Sequence, residues 1–169
     1  MRFTFKTSGP WLLGFLVLAL AACAFHLAPT SATASEGDEK AKALATELLT
    51  KGAALYDTYN ASAMAATYTD NSEIHLVLRD QSTGKYATQD SRGRTAIEKL
   101  YHDLFEGKSN TKSKNVVESA HFVGDDLLII HGTFAPDVAT NSKIPFVQVR
   151  VREGESWKIM SLQLFVVNE

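Results

Sequence analysis

The sequence predicts an α+β fold in which helices pack on one face of a curved antiparallel sheet. Two helical patterns and two short strand patterns come first, a third helix follows them, and only strand patterns come after residue 107. Consecutive strands that are joined by short turns usually pair as antiparallel neighbours, and helices then cover the buried face of such a sheet. The pattern therefore predicts a fold class, but it does not indicate a reaction.

The first two helices are predicted from apolar spacing and from the polar residues that interrupt it. Residues 35–39 are polar and acidic and are interpreted as a linker, whereas residues 41–59 carry apolar side chains at helical spacing. The polar break at residues 60–62 ends this helix. Ser62 is the expected N-cap of a short second helix that runs to Tyr68.

Two strands and a third helix are predicted next along the chain. Alternating apolar side chains over residues 74–79 indicate a first strand, and a turn leads from it to a second strand near Tyr86. Thr95 and Glu98 then have the spacing of a capping box, apolar residues follow on one helical face, and Gly107 closes the helix. This third helix has the strongest local signal in the chain.

Four further strands are predicted in the last third of the sequence, over residues 116–122, 127–134, 146–152 and 157–167. In the third of them Val147, Val149 and Val151 alternate strictly with polar side chains. An antiparallel sheet commonly buries one face and leaves the other in contact with water or a partner. We therefore expect these valines to form the buried face.

Residues 1–34 have the features of a secretory signal, because Arg2 and Lys6 precede an apolar run that small residues follow. Two processing sites fit this sequence. The first is cleavage after Ala34, and the second is a lipoprotein signal over residues 1–22 with lipidation of Cys23. An uncleaved anchor is a third interpretation, although the run is short for a membrane span. We expect an exported protein that is periplasmic, secreted or lipid-anchored in the bacterial envelope.

Composition argues against several partners and several kinds of site. Two of the 17 basic residues and none of the 19 acidic residues lie in residues 1–34, so the remaining chain has a net charge of −4, which argues against nucleic acid as a partner. Cys23 is the only cysteine, so the domain has no internal disulfide, thiol nucleophile or cysteine-based zinc site. The sequence contains no histidine motif typical of a metal site, and we expect neither a metal nor a cofactor.

Four short stretches, taken in their order and spacing, resemble the nuclear transport factor 2-like superfamily. The resemblance is to its bacterial SnoaL-like branch, which includes relatives of polyketide cyclases and ketosteroid isomerases. It covers nearly all of residues 40–167, and the expected domain extends over residues 40–169. The stretches are Tyr59-Asn60, Tyr68-Thr69-Asp70-Asn71, Arg92-Gly93-Arg94-Thr95-Ala96-Ile97 and Ser156-Trp157-Lys158-Ile159-Met160. The resemblance implies a cone-shaped curved sheet packed on three helices, an apolar pocket inside the cone, and a homodimer through the outer sheet face.

The chemistry of ketosteroid isomerases does not carry over to this chain. The resemblance places the general base at Leu76, the oxyanion tyrosine at Leu55 and the protonated aspartate at Val147, and none of these side chains exchanges a proton. A register shifted by one residue places His75 at the base position. His75 and His131, which lie in predicted strands, are therefore the candidate catalytic residues, by analogy with dehydratase members of the superfamily.

A small hydrophobic molecule is the expected ligand of the cone. The candidate ligand-binding residues come from the first helix and from the strands: Tyr56, Tyr59, Leu76, Val147, Ser161, Gln163 and Phe165. Uncharged polar groups of this kind suit the orientation of a ligand better than proton transfer. Three functions stay open. They are a ligand-binding domain, a cyclase, isomerase or dehydratase acting on a hydrophobic carbonyl substrate, and an oligomeric scaffold of the envelope.

Overall fold

A six-stranded sheet and three helices make up the part of the chain that this computed structural model describes, residues 35–140 and 142–167. The elements, in chain order, are α1 (Glu36–Tyr56), α2 (Ala61–Ala65), β1 (Tyr68–Arg79), β2 (Tyr86–Arg92), α3 (Arg94–Phe105), β3 (Lys114–Val123), β4 (Leu127–Ala135), β5 (Ile144–Glu153) and β6 (Ser156–Val167). Their order is the predicted one, and the predicted α+β class is confirmed.

The sheet has the strand order β2-β1-β6-β5-β4-β3. Every neighbouring pair is antiparallel except β1 and β6, which run parallel. The last strand, β6, lies in the middle of the sheet, between β1 and β5. The register shifts between Tyr68 and Glu73 in β1, and again opposite Val149 and Arg150, where β6 holds one extra residue, Met160. Such bulges bend a strand and strengthen its twist, which curves the sheet around the helices.

The hydrophobic core lies between the concave face of the sheet and the helices. α1 buries Ala41, Ala45, Leu49, Ala53 and Tyr56, which recur at helical spacing. α3 buries Ile97, Tyr101 and Phe105, and β4 contributes Leu128 and Ile130 from below. The ring of Tyr56 packs edge to face against Phe105, with a distance of 5.0 Å between ring centroids, and this contact ties α1 to α3.

The start of α1 corrects the predicted linker. Ser35 is the N-cap, and its side chain and that of Asp38 form a reciprocal capping box, so the acidic residues after Ser35 form the first helical turn. Acidic side chains at this end also favour the helix because they complement its dipole. At the other end, α1 stops at Tyr56, and Tyr59 lies in a loop with a φ angle of 55°.

The caps of the two shorter helices also differ from the predicted ones. The side chain of Asn60, rather than Ser62, caps α2, because its oxygen accepts a hydrogen bond from the backbone N–H of Ala63 at 2.9 Å. The capping box of α3 is absent, since Gly93 is the N-cap and provides no side chain. Gly93 adopts a φ angle of 79°, and its N–H donates to the carbonyl of Ser72 at 2.8 Å, so a contact with β1 sets the start of α3.

The predicted buried face of β5 is wrong. Val147, Val149 and Val151 lie half-buried on the outer face of the sheet, whereas Phe146, Gln148 and Arg150 are buried beneath the helices. On the outer face the valines pack beside cross-strand neighbours, for example Val149 beside Ile129, so a β-branched strand residue is accommodated there without helices above it.

The expected signal segment, residues 1–34, and its alternative processing site at Cys23 lie outside the described residues. Within residues 35–140 and 142–167, none of the helices has both the length and the apolar character that a membrane span requires.

The close packing of β4 against its neighbours predicts that Gly132→Ala strongly destabilises the fold. A Cβ atom at this position would lie 2.3 Å from the carbonyl oxygen of Val116 and 2.9 Å from the ring of Phe146. We expect a loss of about 3 kcal/mol in the free energy of unfolding, measured by urea denaturation.

Gly52→Ala is the matched control, because no atom lies within 4 Å of the added Cβ in α1. This change is expected to stabilise the protein by about 0.5–1 kcal/mol through helix propensity. Equal effects of the two substitutions would contradict the described packing of β4.

Candidate functional site

A cavity of about 870 Å³ opens between the concave sheet face and the helices. Its wall is mainly apolar and includes Leu48 from α1, Leu76 from β1, Leu100 from α3, Phe146 from β5 and Leu162 from β6. This volume lies within the range of sites that bind small molecules and cofactors, which are typically apolar with a few placed polar groups. Most wall residues come from helices and strands, so the fold itself forms the cavity.

Four polar side chains form a cluster in this apolar wall, and we call Tyr68, Tyr101, Gln148 and Arg150 the polar cluster. All four line the cavity, and all four are buried. Buried polar groups are costly unless they are hydrogen-bonded, so the partners of each group determine what the cluster does.

Arg150 is the charged member of the cluster, and only 5% of its surface is exposed. Its Nε donates to Gln148 Oε1 at 2.7 Å, and its Nη1 donates to the carbonyl of Trp157 at 3.2 Å. Burial lowers the pKa of Arg150 to about 10, so the guanidinium keeps its charge at neutral pH. Among the described residues no carboxylate forms a salt bridge with it. The positive charge is therefore held by neutral groups alone.

Tyr68 and Tyr101 place two hydroxyl groups beside this charge. Their oxygens are 2.8 Å apart, and either hydroxyl can donate to the other. Burial raises the pKa of Tyr101 to about 12 and raises that of Tyr68 well above its usual range, while the charge of Arg150 acts in the opposite direction on both. Both hydroxyls are consequently neutral at pH 7 and act as hydrogen-bond donors and acceptors.

The cavity wall contains two carboxylates and no histidine among the described residues. The carboxylates, Glu47 and Glu155, are exposed, and Glu47 pairs with Lys51 on the surface of α1. Neither carboxylate is buried, so neither belongs to the buried part of the cavity wall. The interior of the cavity offers hydrogen-bond donors and a positive charge, but no group that accepts a proton near pH 7.

The structure places the expected ligand-binding residues in three different environments. Tyr56 and Leu76 line the cavity. Tyr59 lines a separate shallow depression beside His102 and Phe105, and its hydroxyl lies 2.6 Å from the hydroxyl of Thr111.

The expected orientation of Val147, Ser161, Gln163 and Phe165 is wrong, because these four residues lie on the outer face. The physical reason for the last three is the extra residue Met160 in β6. Strict alternation from Ile159, which lines the cavity, would also turn residues 161, 163 and 165 inward. The bulge reverses the alternation, so Leu162, Leu164 and Val166 line the cavity instead.

The two candidate catalytic histidines also lie outside the cavity wall. The Nδ1 atom of His75 contacts Oδ1 of Asp90 on β2, and the ring of His131 stacks on His121 with 6.5 Å between ring centroids. Gln163 on β6 pairs in register with both His75 and Val147, and Val147 pairs with His131. Side-by-side register partners share a face, so both histidines belong to one row across the outer face.

Sequence reasoning missed the polar cluster completely. Gln148 and Arg150 alternate with valines, a pattern that is typical of a solvated strand face. The useful signal is the position of β5, which has a strand on each side in the middle of the sheet. When a central strand turns two polar side chains of one face toward the core, those side chains require buried hydrogen-bond partners. A tyrosine on the apolar face of α3 is one candidate partner that the sequence shows.

Several solved structures are similar to the structure of this chain. A domain of unknown function with a cystatin-like fold from Nostoc punctiforme is similar with a TM-score of 0.56 at 14% identity, over 80% of this chain and 81% of that chain. A nuclear transport factor 2-like protein of unknown function from Pseudomonas putida has a TM-score of 0.56 at 12% identity, covering 78% and 89%. A putative calcium/calmodulin-dependent protein kinase II association domain from Xanthomonas campestris has a TM-score of 0.54 at 19% identity, covering 81% and 94%.

No protein-family model and no curated protein matches the sequence. The solved structures show that the chain has the nuclear transport factor 2-like, cystatin-like fold, and the resemblance seen in the sequence is confirmed at this level. Sequence identities below 20% show a shared fold but not a shared activity. The function is therefore argued from the cavity itself.

The hydroxyl pair predicts strong coupling between Tyr68→Phe and Tyr101→Phe. Each single change leaves one buried hydroxyl without its partner and is expected to lower the free energy of unfolding by about 1–2 kcal/mol. The double variant removes both hydroxyls, so its loss should be smaller than the sum by about 1 kcal/mol. Urea denaturation of the four proteins measures this cycle, and strictly additive losses would show that the two hydroxyls do not interact.

Proposed function

We propose that this domain binds a small, mostly apolar molecule in its cavity and performs no acid-base chemistry on it. The observation that carries the proposal is the cavity of about 870 Å³, whose wall is largely apolar and whose buried polar cluster contains no proton acceptor for neutral pH. A ligand that fills such a space gains the free energy of burying apolar surface, about 25 cal/mol per Å². Fixed polar groups then orient it.

The enzyme alternative lacks its central component. A cyclase, isomerase or dehydratase needs a positioned group that exchanges a proton with the substrate. The two exposed glutamates lie at the surface of the cavity, and the histidines that sequence reasoning selected do not line it. Tyr68 and Tyr101 resist ionisation, so they serve as donors to a ligand oxygen rather than as bases.

The scaffold alternative is weakened by the open cone. A domain that serves assembly alone has no need for an interior hollow, and a void in a core costs stability in proportion to its volume. The Xanthomonas campestris structure is titled a putative association domain, which concerns assembly. Ligand binding inside the cone and association through the outer face use different surfaces, so both can occur in one protein.

The binding proposal predicts that an uncharged fluorescent probe, N-phenyl-1-naphthylamine, binds to the protein with increased emission. Leu76→Trp should weaken this binding by about tenfold or more, because the larger ring occupies the cavity beside β1. Titration of the probe at pH 7 measures both affinities.

Val77→Trp is the matched control on the same strand. Val77 is half-buried on the outer face, beside Phe165 of β6, and it does not line the cavity. The probe should bind this variant as it binds the unmodified protein. If both tryptophan variants lose the probe equally, or if neither does, the cavity is not its binding site.

We also propose that the protein is exported and forms a homodimer through the outer sheet face. The signal-like residues 1–34 support export to the periplasm, the medium or a lipid anchor. Half-buried apolar side chains of the outer face, Val147, Val149 and Phe165 among them, support association with a second copy, which would cover them.

Mass spectrometry of protein purified from its native host tests both proposals. The denatured mass is expected to match a chain that begins at Ser35 or a lipidated chain that begins at Cys23. The native mass is expected to be twice the denatured mass. A chain that retains Met1 in a cytoplasmic pool contradicts export, and a native mass of one chain contradicts the homodimer.

A further inference from the structure

The polar cluster presents hydrogen-bond donors to the cavity. A guanidinium carries five N–H donors and no acceptor. Two of those of Arg150 are used, by Gln148 and by the carbonyl of Trp157, and its Nη2 has no partner among the described residues. Among these residues the only sealed side-chain nitrogen or oxygen without a partner is Arg94 Nε, so Nη2 of Arg150 is accessible from the cavity that Arg150 lines.

The neighbours of Arg150 add neutral donors to this charge. Because a guanidinium only donates, the oxygen of the Gln148 amide must face it, and the NH₂ group of Gln148 must point elsewhere. In the pair formed by Tyr68 and Tyr101, one hydroxyl hydrogen bonds the partner and the other hydrogen remains to donate. A positive charge, an amide and a hydroxyl therefore form a site that is rich in donors and has no carboxylate among its described members.

From this arrangement we propose that the ligand of the cavity is an amphipathic carboxylic acid, whose carboxylate binds Arg150 while its apolar body lies against the leucines of the wall. The inference rests on the proposed ligand-binding function and specifies the ligand class. A buried charge is stabilised when an opposite charge meets it with good hydrogen-bond geometry. The planar guanidinium matches the planar carboxylate. Three lysines also line the cavity, but Lys51 and Lys108 are exposed and Lys158 donates to the carbonyl of Ala66, so Arg150 is the only buried cation among the described wall residues. One buried cation suits a monoanion better than a phosphate dianion.

A matched pair of probes tests this proposal: 1-naphthaleneacetate, which carries a carboxylate, and 2-(1-naphthyl)ethanol, which has the same carbon skeleton and ends in a hydroxyl. Isothermal titration calorimetry of the full chain at pH 7 measures both affinities. The unmodified protein is expected to bind the carboxylate about tenfold tighter or more, as a charge-assisted hydrogen bond predicts.

Two variants remove the preference by different routes. Arg150→Met deletes the charge while it keeps a long apolar side chain. Gln148→Glu places an internal carboxylate where Nε of Arg150 already donates at 2.7 Å, so it competes with the ligand without removing a side chain. Both variants should bind the two probes with similar affinity. Arg152→Met is the control, because Arg152 lies two residues further along β5, is exposed and does not line the cavity, and this variant should keep the preference.

The possible outcomes separate this inference from the function on which it rests. If both probes bind the unmodified protein equally, or if Arg150→Met and Gln148→Glu keep the preference, the carboxylate inference is overturned and binding in the cavity stands. If neither probe binds the unmodified protein, and N-phenyl-1-naphthylamine also fails to bind, both proposals are overturned. Circular dichroism of each variant establishes that it folds, and Gln148→Glu keeps the test decisive if Arg150→Met does not fold.

Discussion

The buried guanidinium of Arg150 is the constraint around which the interior of this domain is arranged. A charge in a low-dielectric interior carries a desolvation penalty of several kcal/mol, and neutral groups offset only part of it. The carbonyl of Trp157 and the amide of Gln148 are the groups that the described structure provides. Both lie on β5 or its neighbour β6, so the sheet itself holds the charge in place. The helices contribute Tyr101, whose hydroxyl lies 2.8 Å from that of Tyr68 on β1.

The bulge at Met160 in β6 determines which residues meet this charge. It changes the register between β5 and β6, so that Arg150 pairs with Ile159 while Val149 pairs with Ser161. One extra residue thereby turns leucines into the wall and sends Ser161, Gln163 and Phe165 to the outer face. The wall that β6 contributes beyond this bulge is consequently apolar, and Arg150 with its partners forms the buried polar part of the cavity. A carboxylate from outside is the group that would complete their hydrogen bonds, as the proposed ligand class requires.

Much of the fold is predictable from local pattern, whereas the two sheet faces are not. The strands and helices follow from apolar spacing, and every predicted element is present. The boundaries are less accurate, because the second helix ends at Ala65 and Tyr68, its predicted end, begins β1 six residues before the predicted strand. The face of the sheet on which a strand residue lies depends on bulges. A bulge is a property of two paired strands rather than of one sequence segment. The polar cluster is missed for a related reason: Tyr68, Tyr101 and Arg150 lie far apart in the chain and meet only after the sheet has formed. The alternation of valines with Gln148 and Arg150 is correct as a strand signal, but it does not say which face the helices cover.

Alternation along the strands also places the histidines and the cavity-lining residues on opposite faces of the sheet. On β1, Leu76 lines the cavity while His75 contacts Asp90 outside it, and on β4 the buried Ile130 precedes the outward-facing His131. Imidazoles are the side chains that usually change charge near neutral pH. In this fold His75 and His131 lie on the outer face, whereas the cavity keeps the positive charge of Arg150 and two neutral hydroxyls at neutral pH. The proposed binding in the cavity and the proposed association through the outer face therefore involve different side chains, and the charge that a ligand meets in the cavity is that of Arg150.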